Sequence, residues 1–161
     1  METNLAVLLP EKHILWISES HSKKRIFEKI AIMFENTSGL SRDKTFRMLI
    51  DRERLGATSI GNGGAIPHGR LNDIEAPLCA LMRLQKPMPY GAAVSEAENI
   101  VQTLFFLITP KGADKIHLVL LSTFAEILSN EDFMQSLGEC ADAIAAHAKI
   151  KEWADSHPLQ V

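Results

Sequence analysis

The sequence predicts an α/β fold: a single domain in which a mixed β-sheet is flanked by helices on both faces. Three observations predict it. Leu104-Phe105-Phe106-Leu107-Ile108 is apolar on both sides of a strand's alternation, as a central strand must be. Amphipathic helical stretches lie before and after that run, so strands and helices mix along the chain. The 161 residues are 46% hydrophobic, enough for one core. No internal repeat, low-complexity tract or linker divides them.

Taken in order, residues 1–12 read as a lead-in ending at Pro10, and Ile14-Leu15-Trp16-Ile17 as a short strand. Ser22 is placed to cap a helix over 23–36, with Ile26, Phe27, Ile30, Met33 and Phe34 on one face. Thr37-Ser38-Gly39 breaks it. Ser41 caps a second helix, with Phe46, Leu49 and Ile50 inward and Gly56 beyond its end. A glycine-rich segment follows, from Gly56 to Gly69. Leu78–Leu84 and Thr103–Ile108 read as strands, and Pro87-Met88-Pro89-Tyr90-Gly91 as a turn-rich link. After Pro110-Lys111-Gly112, Asp114 starts a helix over about 114–128, with Leu120, Leu121, Phe124 and Leu128 inward. Asn130 caps a short helix ending near Gly138, and a final helix runs over about 139–154. The domain is expected over 5–155, with loose ends at 1–4 and 156–161.

Composition excludes several function classes. A formal net charge of -3 argues against nucleic acid, whose binders carry a basic excess. No run of 18 apolar residues is present, so no membrane span is expected. The N-terminus lacks the basic start and apolar core of a secretory signal. Cys79 and Cys140 lie far apart among apolar neighbours and read as reduced core thiols of a cytoplasmic protein.

The chemistry-bearing segment is Gly61-Asn62-Gly63-Gly64-Ala65-Ile66-Pro67-His68-Gly69-Arg70. Four glycines let backbone N–H groups approach an anion closely. Pro67 stiffens the chain before His68. Arg70, Arg52 and Arg54 supply permanent cations, and Thr58 and Ser59 supply hydroxyl donors. Imidazole is nucleophilic when neutral, and its pKa near 6.5 leaves much of it neutral at cytosolic pH. Phosphoryl transfer needs mainly positioning and charge stabilisation, which arginines and amides provide. Against this, a glycine-rich loop is also a common turn, and a lone histidine is more often structural than catalytic.

Rival motifs fail on spacing. A dinucleotide fingerprint counted from Gly61 and Gly63 would need glycine where Ile66 stands. There is no Gly-Lys-Ser/Thr phosphate loop, no His-Glu-x-x-His, no Cys-x-x-Cys and no Gly-x-Ser-x-Gly. Neither a metal nor a cofactor is called for. His117, one turn into the helix after the central strand, stands where ligands collect in α/β sheets, or else is a packing histidine. His13, His21, His147 and His157 read as solvated.

The run from Arg52 to Arg70 resembles the active-site signature of the mannitol/fructose-type IIA domains of the bacterial phosphotransferase system. Within that family it is most similar to the nitrogen-regulatory, IIA-Ntr branch, and the resemblance covers about residues 5–155. It implies an α/β fold and a phosphohistidine intermediate at Nε2 of His68. Arg52 would contact the active-site region, and His117 would lie beside the phosphorylated ring. The donor would be a phosphocarrier protein of the HPr/NPr kind. Two positions depart from the branch's usual Gly-Ser-Thr-Gly-Ile-Gly-Asn-Gly-Ile-Ala. Ser59 stands for a glycine, putting a side chain where backbone freedom is expected. Gly64 stands for isoleucine, removing an apolar contact and loosening the loop.

Three functions compete. The first is a regulatory phosphocarrier that binds target proteins differently in its two phosphorylation states. The second is a transport component passing phosphate to a IIB domain; the absence of fused IIB or IIC regions favours a free-standing protein. The third is a non-catalytic binding module, against which His68, Arg52, Arg70 and His117 speak. Leu55, Ile60, Ile66 and Leu71 are candidates for an apolar docking rim, or for core.

Overall fold

The computed structural model describes residues 4–18, 22–91 and 100–160. It contains α1 (Leu5–Leu8), β1 (Ile14–Ile17), α2 (Lys23–Ser38), α3 (Arg42–Leu55), β2 (Ser59–Gly61), β3 (Gly64–Ala65) and β4 (His68–Leu71). These are followed by β5 (Leu78–Pro89), β6 (Ile100–Pro110), α4 (Asp114–Ser129), α5 (Glu131–Gly138) and α6 (Ala143–Ser156). The α/β reading holds, with a mixed sheet between two helical layers.

The sheet runs β1-β5-β6-β3-β2, and β4 also pairs with β6. β1 lies parallel to β5, β5 antiparallel to β6, and both β3 and β4 parallel to β6. β6 is central, and its side chains alternate between two cores as the period of two requires. Phe105 and Leu107 face the cluster built with α4 and α6, where Phe105 stacks on Phe124 at 4.6 Å. Leu104, Phe106 and Ile108 face the cluster built with α2 and α3.

The expected caps form: the side chains of Ser22, Ser41 and Asn130 accept from the backbone N–H groups of Arg25, Lys44 and Phe133. α2 continues through Thr37 and Ser38 and stops at Gly39, whose φ of 70° closes the helix. The last helix begins at Ala143, after an Asp142 cap, rather than at 139.

Several expectations are corrected. The lead-in contains α1, because Asn4 caps it and Leu5 and Leu9 are buried. The presumed link at Pro87–Pro89 is strand: Met88 pairs with Val101 and Pro89 with Ile100. β1 covers only Leu81–Leu84 on the other side of β5. Prolines two residues apart therefore direct their missing N–H groups to the same side of the strand, where no described strand competes for them. The glycine-rich segment holds three short strands, whose pairing comes from one another and from β6 rather than from their own propensity.

His13 is buried rather than solvated, with Nδ1 donating to the Cys79 carbonyl at 3.0 Å and Nε2 2.9 Å from Thr37 Oγ1. His147 is half-buried against the Ala6 carbonyl, at 3.1 Å. His157 is exposed but stacks on Trp153 at 3.8 Å, and Leu159 packs on the same core, so the tail is partly tethered. His21, residues 1–3 and residue 161 lie outside the described residues. Both cysteines are free, with Cys79 buried.

Candidate functional site

The site lies where β4 runs beside the carboxyl end of the parallel strand β6, facing the first turn of α4. Register aligns His68 with Leu107 and Arg70 with Thr109. Being two residues apart, His68 and Arg70 project from the same face of β4. Asp114 and His117, three apart, lie on one face of α4. The result is a two-rung ladder: the His68 and His117 rings meet edge-on, 5.6 Å between centroids, and Arg70 Nη1 donates to Asp114. Gly69 points the other way, toward α3; a Cβ there would collide with Met48 Sδ.

The hydrogen bond of His68 decides its chemistry. Nδ1 lies 2.6 Å from the Ile66 carbonyl. A carbonyl only accepts, so Nδ1 carries the proton and Nε2 keeps the lone pair. Burial lowers the pKa of His68, the Ile66 carbonyl opposes that, and the Arg52 charge lowers it further. The ring is therefore neutral and nucleophilic at Nε2 near neutral pH. His117 is buried, with Nδ1 2.6 Å from the hydroxyl of the fully buried Thr109. Burial first, then the charge of Arg70, lowers its pKa to about 4.

Arg52, near the end of α3, donates from Nη1 to the Gly56 carbonyl at 2.8 Å while its charge acts on His68. Arg54 is exposed and reaches Asp51 at 3.5 Å. Gly61, Asn62 and Gly63 all have positive φ, of 88°, 54° and 73°. Asn62-Gly63 forms the two-residue turn between β2 and β3, a geometry that favours this pair of residues whether or not an anion binds. Thr58, expected as a hydroxyl for phosphate, is instead buried and donates Oγ1–H to Glu53 at 2.6 Å. Ser59 sits in β2 opposite Ala65, an ordinary strand position. Gly64 does not loosen the loop: it is buried, and a Cβ there would meet both Leu128 methyls at 2.9 Å. Leu128 fills the volume an isoleucine side chain would need. Among the described residues no group of three His, Cys, Asp or Glu could hold a metal ion.

Of the four rim candidates, Ile66 is buried and Leu71 packs against the α2–α3 core, whereas Leu55 is 86% and Ile60 41% exposed. Leu118, beside His117, is 62% exposed and was missed. Glu53 was missed as well. It is buried, and accepts from Thr58 N–H at 2.9 Å, Tyr90 O–H at 3.1 Å and Lys23 Nζ at 3.1 Å, besides Thr58 Oγ1. Burial and the Glu53 charge push the Tyr90 phenol well above its ordinary pKa, so it remains a donor. The signal for Glu53 was available: it continues the inward stripe of Phe46, Leu49 and Ile50 at helical spacing.

Residues 7–153 match the family described as the phosphoenolpyruvate-dependent sugar phosphotransferase system, EIIA 2. A nitrogen regulatory protein of Bradyrhizobium diazoefficiens is 30% identical over 143 residues, 89% of this chain and 92% of that protein. The crystal structure of the nitrogen regulatory protein IIA-Ntr from Neisseria meningitidis superposes with a TM-score of 0.81 at 33% identity, covering 91% of this chain and 98% of that one. The fold is also that of the Escherichia coli mannitol IIA in its complex with phosphorylated IIB, at TM-score 0.71 and 13% identity, covering 88% and 95%. With a match along nearly its whole length, the chain belongs to the EIIA type 2 family of the phosphotransferase system and is similar to the IIA-Ntr, nitrogen regulatory members of that family.

Proposed function

We propose that the protein is a regulatory phosphocarrier that accepts a phosphoryl group on Nε2 of His68 from an HPr/NPr-type carrier. The observation that carries this reading is the Nδ1–H bond to the Ile66 carbonyl, which leaves the Nε2 lone pair free. In the transfer, that pair forms the new N–P bond while the bond from phosphorus to the carrier's leaving atom breaks with its electrons. Positive charge that develops on the His68 ring is shared with Nδ1–H and strengthens its bond to Ile66. In this reading the Thr109 hydroxyl, which can donate or accept, donates to Nδ1, so that His117 carries its proton on Nε2 and serves as a neutral donor to a phosphoryl oxygen. Arg70 and Arg52 balance the phosphoryl charge. No cofactor takes part, and the reading places the protein in the cytoplasm, where phosphoenolpyruvate and the carrier are found.

The regulatory half rests on the exposed apolar residues Leu55, Ile60 and Leu118. Phosphorylation adds about -1.5 to -2 charges to the site that Leu118 borders as the neighbour of His117, which would change how a target protein docks there. The nitrogen-regulatory relatives favour this reading over sugar transport.

The test is labelling with phosphoenolpyruvate, enzyme I and the carrier. Wild type is expected to gain one acid-labile phosphate and His68→Ala none. Label persisting in His68→Ala sinks the assignment, and no label on wild type leaves the binding-module reading standing. Quantitative onward transfer to a mannitol- or fructose-type IIB domain would replace regulation by transport.

A further inference from the structure

The geometry points to Glu53 as the positioning residue that fixes the tautomer of His68, acting through two backbone segments. The inference rests on the phosphocarrier reading, because it concerns which nitrogen of His68 is left to react. Glu53 sits on α3, outside the ladder of His68, His117, Arg70 and Asp114, and its charge also acts directly on His68, in the direction that raises its pKa. Its two oxygens take both the N–H and the hydroxyl of Thr58, at 2.9 and 2.6 Å. The Thr58 carbonyl then accepts from Ile66 N–H at 3.0 Å. The Ile66 carbonyl accepts from His68 Nδ1–H at 2.6 Å. Beyond the carboxylate, no flexible side chain intervenes before the His68 ring.

A structural ion pair does not account for this arrangement. Lys23 contacts only Oε2, and it also lies 4.0 Å above the Tyr90 ring. A buried carboxylate is costly, and where stability alone is at stake an apolar residue serves as well. Four donors from three residues, Lys23 on α2, Thr58 between α3 and β2, and Tyr90 just after β5, converge on Glu53, and they fix where residue 58 stands relative to the end of α3. The 2.6 Å contact at His68 is at the short end for N–H···O, so a shift of the Ile66 carbonyl weakens it directly. Without that acceptor the proton of a neutral imidazole distributes between the two nitrogens, and the fraction with a free Nε2 pair falls.

The experiment compares wild type, Glu53→Gln and Thr58→Val. Long-range proton–nitrogen NMR of the unphosphorylated proteins reads the His68 tautomer and needs no donor. Carrier-dependent phosphorylation reads kcat and KM, and thermal unfolding monitors the fold. Wild type is expected as the Nδ1–H tautomer. Glu53→Gln is expected to show a mixture, with kcat reduced about 10- to 100-fold, as when groups orienting a histidine are lost, and KM for the carrier unchanged. Thr58→Val, which keeps the N–H bond and loses the hydroxyl, should change in the same direction by less. A folded Glu53→Gln protein with the wild-type tautomer and kcat overturns the proposal. If that variant does not fold, wild-type behaviour of Thr58→Val overturns it. If wild type takes no phosphoryl group, the phosphocarrier reading fails while the tautomer comparison still judges Glu53.

Discussion

At the residue scale the two histidines differ through what each ring nitrogen faces. His68 has a carbonyl at Nδ1, which admits one tautomer, whereas His117 has a hydroxyl, which can donate or accept. Both have lowered pKa values, chiefly through burial. NMR titration is therefore expected to give midpoints below the ordinary 6.5 for His68 and near 4 for His117. A His68 midpoint at or above 6.5 would remove the argument that it is a neutral nucleophile throughout the physiological range. Replacing His117 by alanine removes one donor and one ring contact but not the nucleophile. Labelling should slow by about 10²- to 10³-fold, the usual cost of one oxyanion donor, without being abolished. Complete loss in His117→Ala together with retention in His68→Ala would reverse their roles.

At the element scale, the strand carrying the nucleophile, β4, and the short strand before it, β3, are each packed by a side chain that needs glycine beneath it. α3 places Met48 over Gly69, and α4 places Leu128 over Gly64. Gly64→Ile overfills the second contact and is expected to destabilise by about 1–3 kcal/mol. Leu128→Ala alone should cost about 2–5 kcal/mol. Because the two share one volume, the double variant should lose clearly less than the sum. Urea unfolding of the four proteins checks this, and strict additivity would show that the side chains do not compete. The same contact explains why isoleucine is not needed at position 64 in this chain.

At the scale of the whole molecule, His13 ties layers together: its ring bridges the β5 carbonyl of Cys79 and Thr37 near the end of α2, and packs edge-on against Phe34 at 5.2 Å. Burial is the main cause of its lowered pKa. His13, His68 and His117 all bind protons less readily folded than unfolded. Their contribution is complete above the unfolded value near 6.5 and is lost as pH falls through that value toward the folded ones. Stability should thus decline between about pH 7 and about pH 4 by this route. His13→Gln should cost about 1–3 kcal/mol at neutral pH, through imperfectly replaced buried hydrogen bonds, and should flatten the decline. Thermal unfolding at several pH values measures both, and an unchanged slope would clear His13 of any part in it.

The fold class, the central strand, the helix caps and the segment bearing His68 were legible in the residues alone, because each depends on local patterning. Leu104–Ile108 had to be buried on both faces, and Ser22, Ser41 and Asn130 had to cap whatever followed them. The run from Arg52 to Arg70 carried the family. Tertiary structure alone decided which partners those residues meet. That Glu53 and not phosphate holds Thr58, that Leu128 occupies the space over Gly64, that prolines continue β5 and that His13 is interior all depend on residues far away in sequence. Nor could the sequence assign the proton of His68. That follows from where folding places one carbonyl, two residues back along the chain and anchored through contacts that begin at the end of another helix.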